Sequence, residues 1–262
     1  EITKQSGIDV SFTTNGTILP KDFLERALPN TSWIKASINA GTSETYHKVH
    51  QGKKGDFEKA IKNLKAMVDY RKKHNLKVVL GAQSMLLPEN VDEMDELARV
   101  CRDEIGLDYL VIKPYSQHMF SLTHKYEGVD YSKYAHYEKK FTSMSSDNFQ
   151  VIFRGHTMKK YIEGNDNRYK KCYATPNLWA YVMADGRVFS CSAFLLDDRF
   201  NLGNIHKNTF QEIWEGDKRK KNFEFVKKDL DISECRLNCR MDEVNRYINA
   251  IDHQTIEHIN FI

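Results

Sequence analysis

The chain has 262 residues, room for one large domain or two modest ones at about 150 residues each. At 40% hydrophobic, 29% charged and 11% aromatic residues, its composition is that of a globular protein and excludes a mainly disordered one. The 39 Lys and Arg against 36 Asp and Glu leave +3, no electrostatic case for a nucleic-acid or membrane partner, and no run of about 18 apolar residues offers a membrane span.

The first residues, Glu1 to Ser6, lack the apolar core of a signal peptide, and there is no initiator Met. Strand material begins at once: Ile8 to Thr14 reads as a strand stopped by the turn signal Asn15-Gly16. A second strand spans Ile34 to Ala40, ended by Gly41, and a third Leu76 to Gln83. A fourth covers Tyr109 to Lys113 and a fifth Phe149 to Arg154. The intervals between them suit one crossover helix each. One such helix is expected after an N-cap at Asp56, with Phe57, Ala60, Ile61, Leu64, Met67 and Val68 on one face. Another is expected from about Asn90, with Cys101 on its apolar stripe and therefore in the core, and a third over Ser132 to Ser143. Strands alternating with helices predict a parallel α/β sheet, barrel or doubly wound.

After Arg154 the pattern changes. Asn177 to Ala184 and Arg187 to Ala193 flank Asp185-Gly186, a strong two-residue hairpin signal, and helices are expected near 209–215, 217–228 and 241–251. A boundary in Glu163 to Asn167 divides the chain into 1–164 and 165–262. The second part is small for a core of its own, and a metal would help it fold. Lys218-Arg219-Lys220-Lys221 reads as an exposed helix face.

Four of the five cysteines, Cys172, Cys191, Cys235 and Cys239, lie in that second part. An odd, sparse cysteine set is no disulfide scaffold; it points to a metal site in the reducing cytoplasm. The hairpin returns Cys191 towards the stem near Cys172, and four convergent thiolates suit either a structural zinc or an iron–sulfur cluster.

Cys172, Gly186 and Cys191, followed by Asn201-Leu202-Gly203-Asn204-Ile205 and Phe210-Gln211-Glu212-Ile213-Trp214, resemble the SPASM or shortened twitch auxiliary-cluster domains of the radical SAM superfamily. With only Cys235 and Cys239 after them, the resemblance implies the shortened form with one auxiliary [4Fe–4S] cluster on the four cysteines. Thr13-Thr14-Asn15-Gly16 resembles the end of that family's third barrel strand. Ser37-Ile38-Asn39-Ala40-Gly41 resembles its fourth, Ser-Ile-Asp-Ala-Gly, with Asn39 in place of the Asp. Alternation agrees: Lys35, Ser37 and Asn39 point one way and Ile34, Ala36, Ile38 and Ala40 the other.

The implied fold is a partial (β/α) barrel, later strands only, with a small C-terminal cluster-binding α+β domain. The implied cofactors are S-adenosylmethionine and a second [4Fe–4S] cluster beside the auxiliary one. The family's Cys-x3-Cys-x2-Cys loop and Gly-Gly-Glu segment are absent from these residues. The expectation is therefore a truncated enzyme, missing about 70 to 100 residues and inactive as it stands. The resemblance implies release of a 5′-deoxyadenosyl radical that takes hydrogen from a substrate, in the oxidation of a small molecule or the modification of a peptide. An electron donor such as flavodoxin or ferredoxin is the implied protein partner. Strand-end residues are the candidate cofactor ligands, Thr14, Asn15, Ser37, Asn39, Gln83 and Lys113. Tyr115, His118, Arg154 and His156 are further candidates for the substrate side. Two other readings stand beside this one: a zinc-stabilised scaffold, and a barrel accessory protein without catalysis.

Overall fold

The computed structural model describes residues 1–164 and 168–255. Two compact units result: 1–115 with 128–162, and 116–127 with 163–262.

The first unit is built on five parallel strands: β1 (Ser11–Thr14), β2 (Trp33–Ser37), β3 (Val79–Leu86), β4 (Tyr109–Pro114) and β5 (Gln150–Phe153). They lie in chain order without reversal. That is the winding of a barrel wall rather than of a doubly wound sheet, and here the wall stays open. The links are short α1 (Ile2–Gln5) before β1, α2 (Ser43–His50) and α3 (Asp56–Lys73) between β2 and β3, α4 (Met94–Arg99) running into a π-helical stretch (Val100–Ile105), α5 (Tyr137–Thr142), and α6 (Gly155–Glu163) after β5. All five expected strands are present, shifted by up to three residues at their starts.

The period-2 pattern decides which face the helices cover. Ile34, Ala36, Leu80, Ala82, Leu110, Ile112, Val151 and Phe153 are buried against the helices with Leu64, Met67, Val68, Leu97 and Cys101. Burial pushes the Cys101 thiol up to about 12, so it stays a protonated packing residue. On the other face Trp33, Val79 and Ile152 remain about 40% exposed. Asp56 is the first residue of α3, with Gly55 as N-cap, and its carboxylate accepts from the Lys53 N–H instead (2.9 Å).

Gly41, four residues past the end of β2, is packed against the turn leading into α4. A Cβ there would stand 2.7 Å from the Glu93 carbonyl oxygen and 2.9 Å from the Leu97 nitrogen. Glu93 in turn caps α2. Its carboxylate accepts from the N–H of Gly41 (3.1 Å) and Thr42 (3.2 Å) and from the hydroxyls of Thr42 (2.9 Å) and Thr45 (2.5 Å).

The second unit holds a three-stranded antiparallel sheet of β6 (Tyr181–Val182), β7 (Arg187–Phe189) and β8 (Asn201–Asn204), with α7 (Phe210–Glu215), α8 (Asp217–Lys228) and α9 (Asp242–Asp252). The Asp185-Gly186 turn is present, with Gly186 at φ +80°, but its strands are shorter than the sequence suggests. The expected boundary segment falls partly on 165–167, which lie outside the described residues. No helix among the described residues is long and apolar enough to cross a membrane.

Candidate functional site

The candidate residues form two sets, one in each unit. In the C-terminal unit Cys172, Cys191, Cys235 and Cys239 line one small void of about 20 Å³, closed over by Phe194, Phe200, Leu230 and Ile232. Four stretches bring them there: the segment entering the unit, the loop after β7, the end of a 3-10 turn (Ile232–Glu234) and the approach to α9. All four are unbridged thiols. Among the described residues no three His, Cys, Asp or Glu side chains converge on the point of a single metal ion.

Three of the sulfurs receive N–H donors. Ala193 N–H points at Cys191 Sγ (3.4 Å), Met241 N–H at Cys239 Sγ (3.4 Å) and the Asn245 amide at Cys172 Sγ (3.6 Å). Asn245, 1% exposed, also accepts from the backbone N–H of Tyr173 (2.7 Å) and Ala174 (2.9 Å), so α9 fixes the Cys172 segment. Arg168 straps the opposite loop through the carbonyls of Ile232 (3.3 Å), Cys235 (3.1 Å) and Arg236 (3.0 Å). The buried Nε of Arg168 and that of Arg236, both at the void, have no partner.

Burial pushes the Cys191 thiol up to about 11, that of Cys235 to about 12, and that of Cys239 upward. The neighbouring guanidiniums pull the last two back in part. Buried thiols of this kind ionise when a cation replaces their protons. The donor set fits an iron–sulfur cluster: four cysteines around one void, N–H groups on the sulfurs, and two guanidinium N–H groups available to a buried anion. Arg168 and Asn245 were not singled out by the sequence; Arg168 stands four residues before Cys172 and Asn245 six after Cys239.

The second set lies at the C-terminal ends of the parallel strands, with Ser37, Gln83 and Lys113 on the open face. Ser37 and Gln83 sit side by side in register, and the Gln83 amide donates to the Ser37 hydroxyl (2.9 Å). Thr14 is next to Ala36 and Lys113 next to Met85, each at a strand's C-terminal end. Thr14 and Asn15 are turned to their own turn: the Thr14 hydroxyl accepts from Gly16 N–H (3.1 Å), and the Asn15 amide oxygen from Thr17 N–H (3.1 Å).

Asn39 differs from the simple alternation. It is 5% exposed, and its side-chain oxygen accepts from Met85 N–H (2.8 Å), extending the ladder past the end of β2. Its own N–H donates to His50 Nε2 (3.1 Å), and Asn90 donates to its carbonyl (2.8 Å). Further along the open face a cavity of about 370 Å³ is lined by Trp33, Lys35, Tyr109, Ile152 and Arg154.

Of the substrate-side candidates, Tyr115 follows β4, its N–H donating to the Tyr131 hydroxyl (2.6 Å), and His156 is exposed in the first turn of α6. His118 belongs to the segment 116–127 of the C-terminal unit. Its Nε2–H donates to the carbonyl of Ser192 beside Cys191 (3.0 Å), while Nδ1 accepts from Phe120 N–H (3.2 Å).

The family comparisons fall on the same two units. Residues 1–101 match the model of the radical SAM superfamily, and residues 172–240 match that of the SPASM iron–sulfur cluster-binding domain. A cysteine-type anaerobic sulfatase-maturating enzyme of Clostridium novyi (strain NT) is 22% identical over 265 residues, a stretch spanning 95% of this chain and 68% of that protein. Among solved structures, BtrN in an open conformation is matched over 89% of this chain and 92% of that one, at 13% identity and a TM-score of 0.28, too low to inform the fold. With both matches in sequence order and the cysteines within the second, the chain carries a radical SAM match in its N-terminal unit and a SPASM iron–sulfur cluster-binding match in its C-terminal one, and these matches imply S-adenosylmethionine and [4Fe–4S] clusters.

Proposed function

We propose that Cys172, Cys191, Cys235 and Cys239 hold a single auxiliary [4Fe–4S] cluster of the shortened type, within a radical SAM enzyme that modifies a peptide or protein. Residues 1–115 with 128–162 supply the barrel wall, and 116–127 with 163–262 the cluster domain. The observation that carries the reading is the convergence of four thiols on one void with N–H donors on three of the sulfurs. When bound, S-adenosylmethionine and its clusters supply a carbon-centred radical and a one-electron acceptor.

The chain's own residues position and exclude. Ser37 and Gln83, already hydrogen-bonded to each other, present a hydroxyl and an amide at the strand ends for the polar groups of S-adenosylmethionine. Thr14, Asn15 and Lys113 border them, and Asn39 acts from behind by locking the ends of β2 and β3 together. In the C-terminal unit Arg168 and Asn245 hold the cysteine loops, and Phe194 and Phe200 keep water from the sulfurs. A peptide or protein substrate is favoured over a small molecule because the sulfatase-maturating relative acts on a protein. The free thiols favour a reducing cytoplasmic setting, with flavodoxin or ferredoxin as electron donor.

The test is iron and acid-labile sulfide per chain after anaerobic reconstitution. About four of each, lost when Cys191 or Cys235 becomes Ala, supports the cluster. One zinc without sulfide overturns it in favour of a structural zinc module.

A further inference from the structure

Cys172 has two sides. One lines the void shared with the other three cysteines; the other forms part of a separate cavity of about 260 Å³. That cavity lies between the Cys172 segment and α8, with Lys171 and Tyr173 on one wall and Phe223 and Lys227 on the other. Each ammonium is held by an aromatic ring: Lys171 stands 4.7 Å from the centre of Tyr173 and Lys227 5.9 Å from that of Phe223.

The surroundings are positive. Helix α8 carries six Lys or Arg against Asp217 and Glu224, and Glu224 is paired with Lys228 (2.6 Å). On the opposite wall Asp252 accepts from the Tyr173 hydroxyl (2.7 Å) and stands 3.9 Å from Lys171. Phe223 is 37% exposed although its helix buries Val226 and Asn222. An exposed ring flanked by lysines, beside a cysteine of the candidate cluster, is unexplained by the packing of the unit.

We propose that this basic, aromatic-walled cavity is the docking surface for an acidic one-electron carrier protein, whose redox group is brought to the Cys172 side of the auxiliary cluster. The proposal rests on the reading of the four cysteines as a cluster site. One electron passes: the reduced cluster is oxidised by one unit, the carrier's flavin or iron–sulfur centre is reduced by one, and no bond forms or breaks. Lysines at a solvated rim suit such a transient complex, since they steer an acidic partner strongly at low ionic strength and weakly at high. A thiolate ligand at the cavity wall gives the electron a covalent route to the surface that a merely anion-binding pocket would not need.

The test titrates an acidic, FMN-loaded flavodoxin with the cluster-loaded full chain, following flavin fluorescence at about 20 mM and about 300 mM salt. Reversing both lysines, Lys171→Glu with Lys227→Glu, is expected to weaken binding at low salt by about tenfold or more and to flatten the salt dependence. Lys62→Glu with Lys65→Glu makes the same charge change on exposed positions of α3 in the N-terminal unit, and is expected to weaken binding by less than about threefold. Equal loss in both pairs, no loss in the first, or no binding by the unaltered chain overturns the docking surface. Polyglutamate binding as tightly as flavodoxin overturns the carrier in favour of an acidic peptide. Iron counted on the same samples separates the two failures: a chain without iron fails the cluster reading, and a loaded chain indifferent to the reversal fails the docking proposal alone.

Discussion

Asn245→Ala is the sharpest test of how the cysteine loops are held. The side chain is 1% exposed and accepts from two consecutive backbone N–H groups, Tyr173 at 2.7 Å and Ala174 at 2.9 Å, while its amide donates to the Tyr169 hydroxyl (3.2 Å) and to Cys172 Sγ (3.6 Å). Alanine removes all four contacts. The Ala174 N–H is left buried and unpaired, at about 1–3 kcal/mol, and the half-buried Tyr173 N–H adds about 1 kcal/mol. The sum is a loss of about 2–4 kcal/mol from the C-terminal unit. In a Trp33→Phe background the remaining tryptophans, Trp179 and Trp214, both report on that unit. With a urea slope of about 1–3 kcal/mol/M, their fluorescence transition should fall by about 1 M or more in the cluster-free chain. Iron should also leave the loaded variant faster under chelator. A midpoint within about 0.2 M of the parent would refute the assignment of Asn245 as the residue that ties α9 to the Cys172 segment.

Other outcomes follow from the same contacts. Cys101→Ala should leave iron content unchanged, because that thiol is wholly buried in the helix-covered core of the other unit; its cost should appear only as about 1–2 kcal/mol of stability in urea unfolding. Glu93→Ala, which strips α2 of four hydrogen bonds at its N-terminus, should cost the N-terminal unit about 2–3 kcal/mol, and Glu93→Gln less, measured the same way. His50 supplies a pH dependence. Burial lowers its pKa below the usual 6.5, and its Nε2 accepts from Asn39 N–H, so protonation would set N–H against N–H. The unfolded chain therefore binds the proton first as pH falls below about 6.5, and the N-terminal unit loses stability there by up to about 1.4 kcal/mol per pH unit. Urea midpoints at descending pH should show that slope, and His50→Gln should flatten it; an unchanged slope in the variant would remove His50 as the cause.

Much of this was legible in the chain itself. Period-2 alternation at Ile34, Ala36 and Ile38 marks the helix-covered face of β2, because successive side chains of a strand must point to opposite sides. The apolar stripe of Ala60, Leu64, Met67 and Val68 marks α3 for the same kind of reason at period 3.6. Cysteine spacing and the Asp185-Gly186 turn named the four candidate ligands, since thiols and tight turns have few other uses in such a pattern. What the sequence could not state is which distant groups meet. Arg168 reaches carbonyls 64 to 68 positions away, Asn245 reaches back more than 70 residues to the Cys172 segment, and a helix of lysines comes to lie beside that same cysteine. Asn39, expected to face a ligand by alternation, instead completes the ladder to Met85, because beyond the last paired residue of β2 a side-chain oxygen takes over the role of the backbone. Local periodicity is a property of the chain's own geometry; hydrogen bonds between remote segments exist only once packing has closed the loops between them.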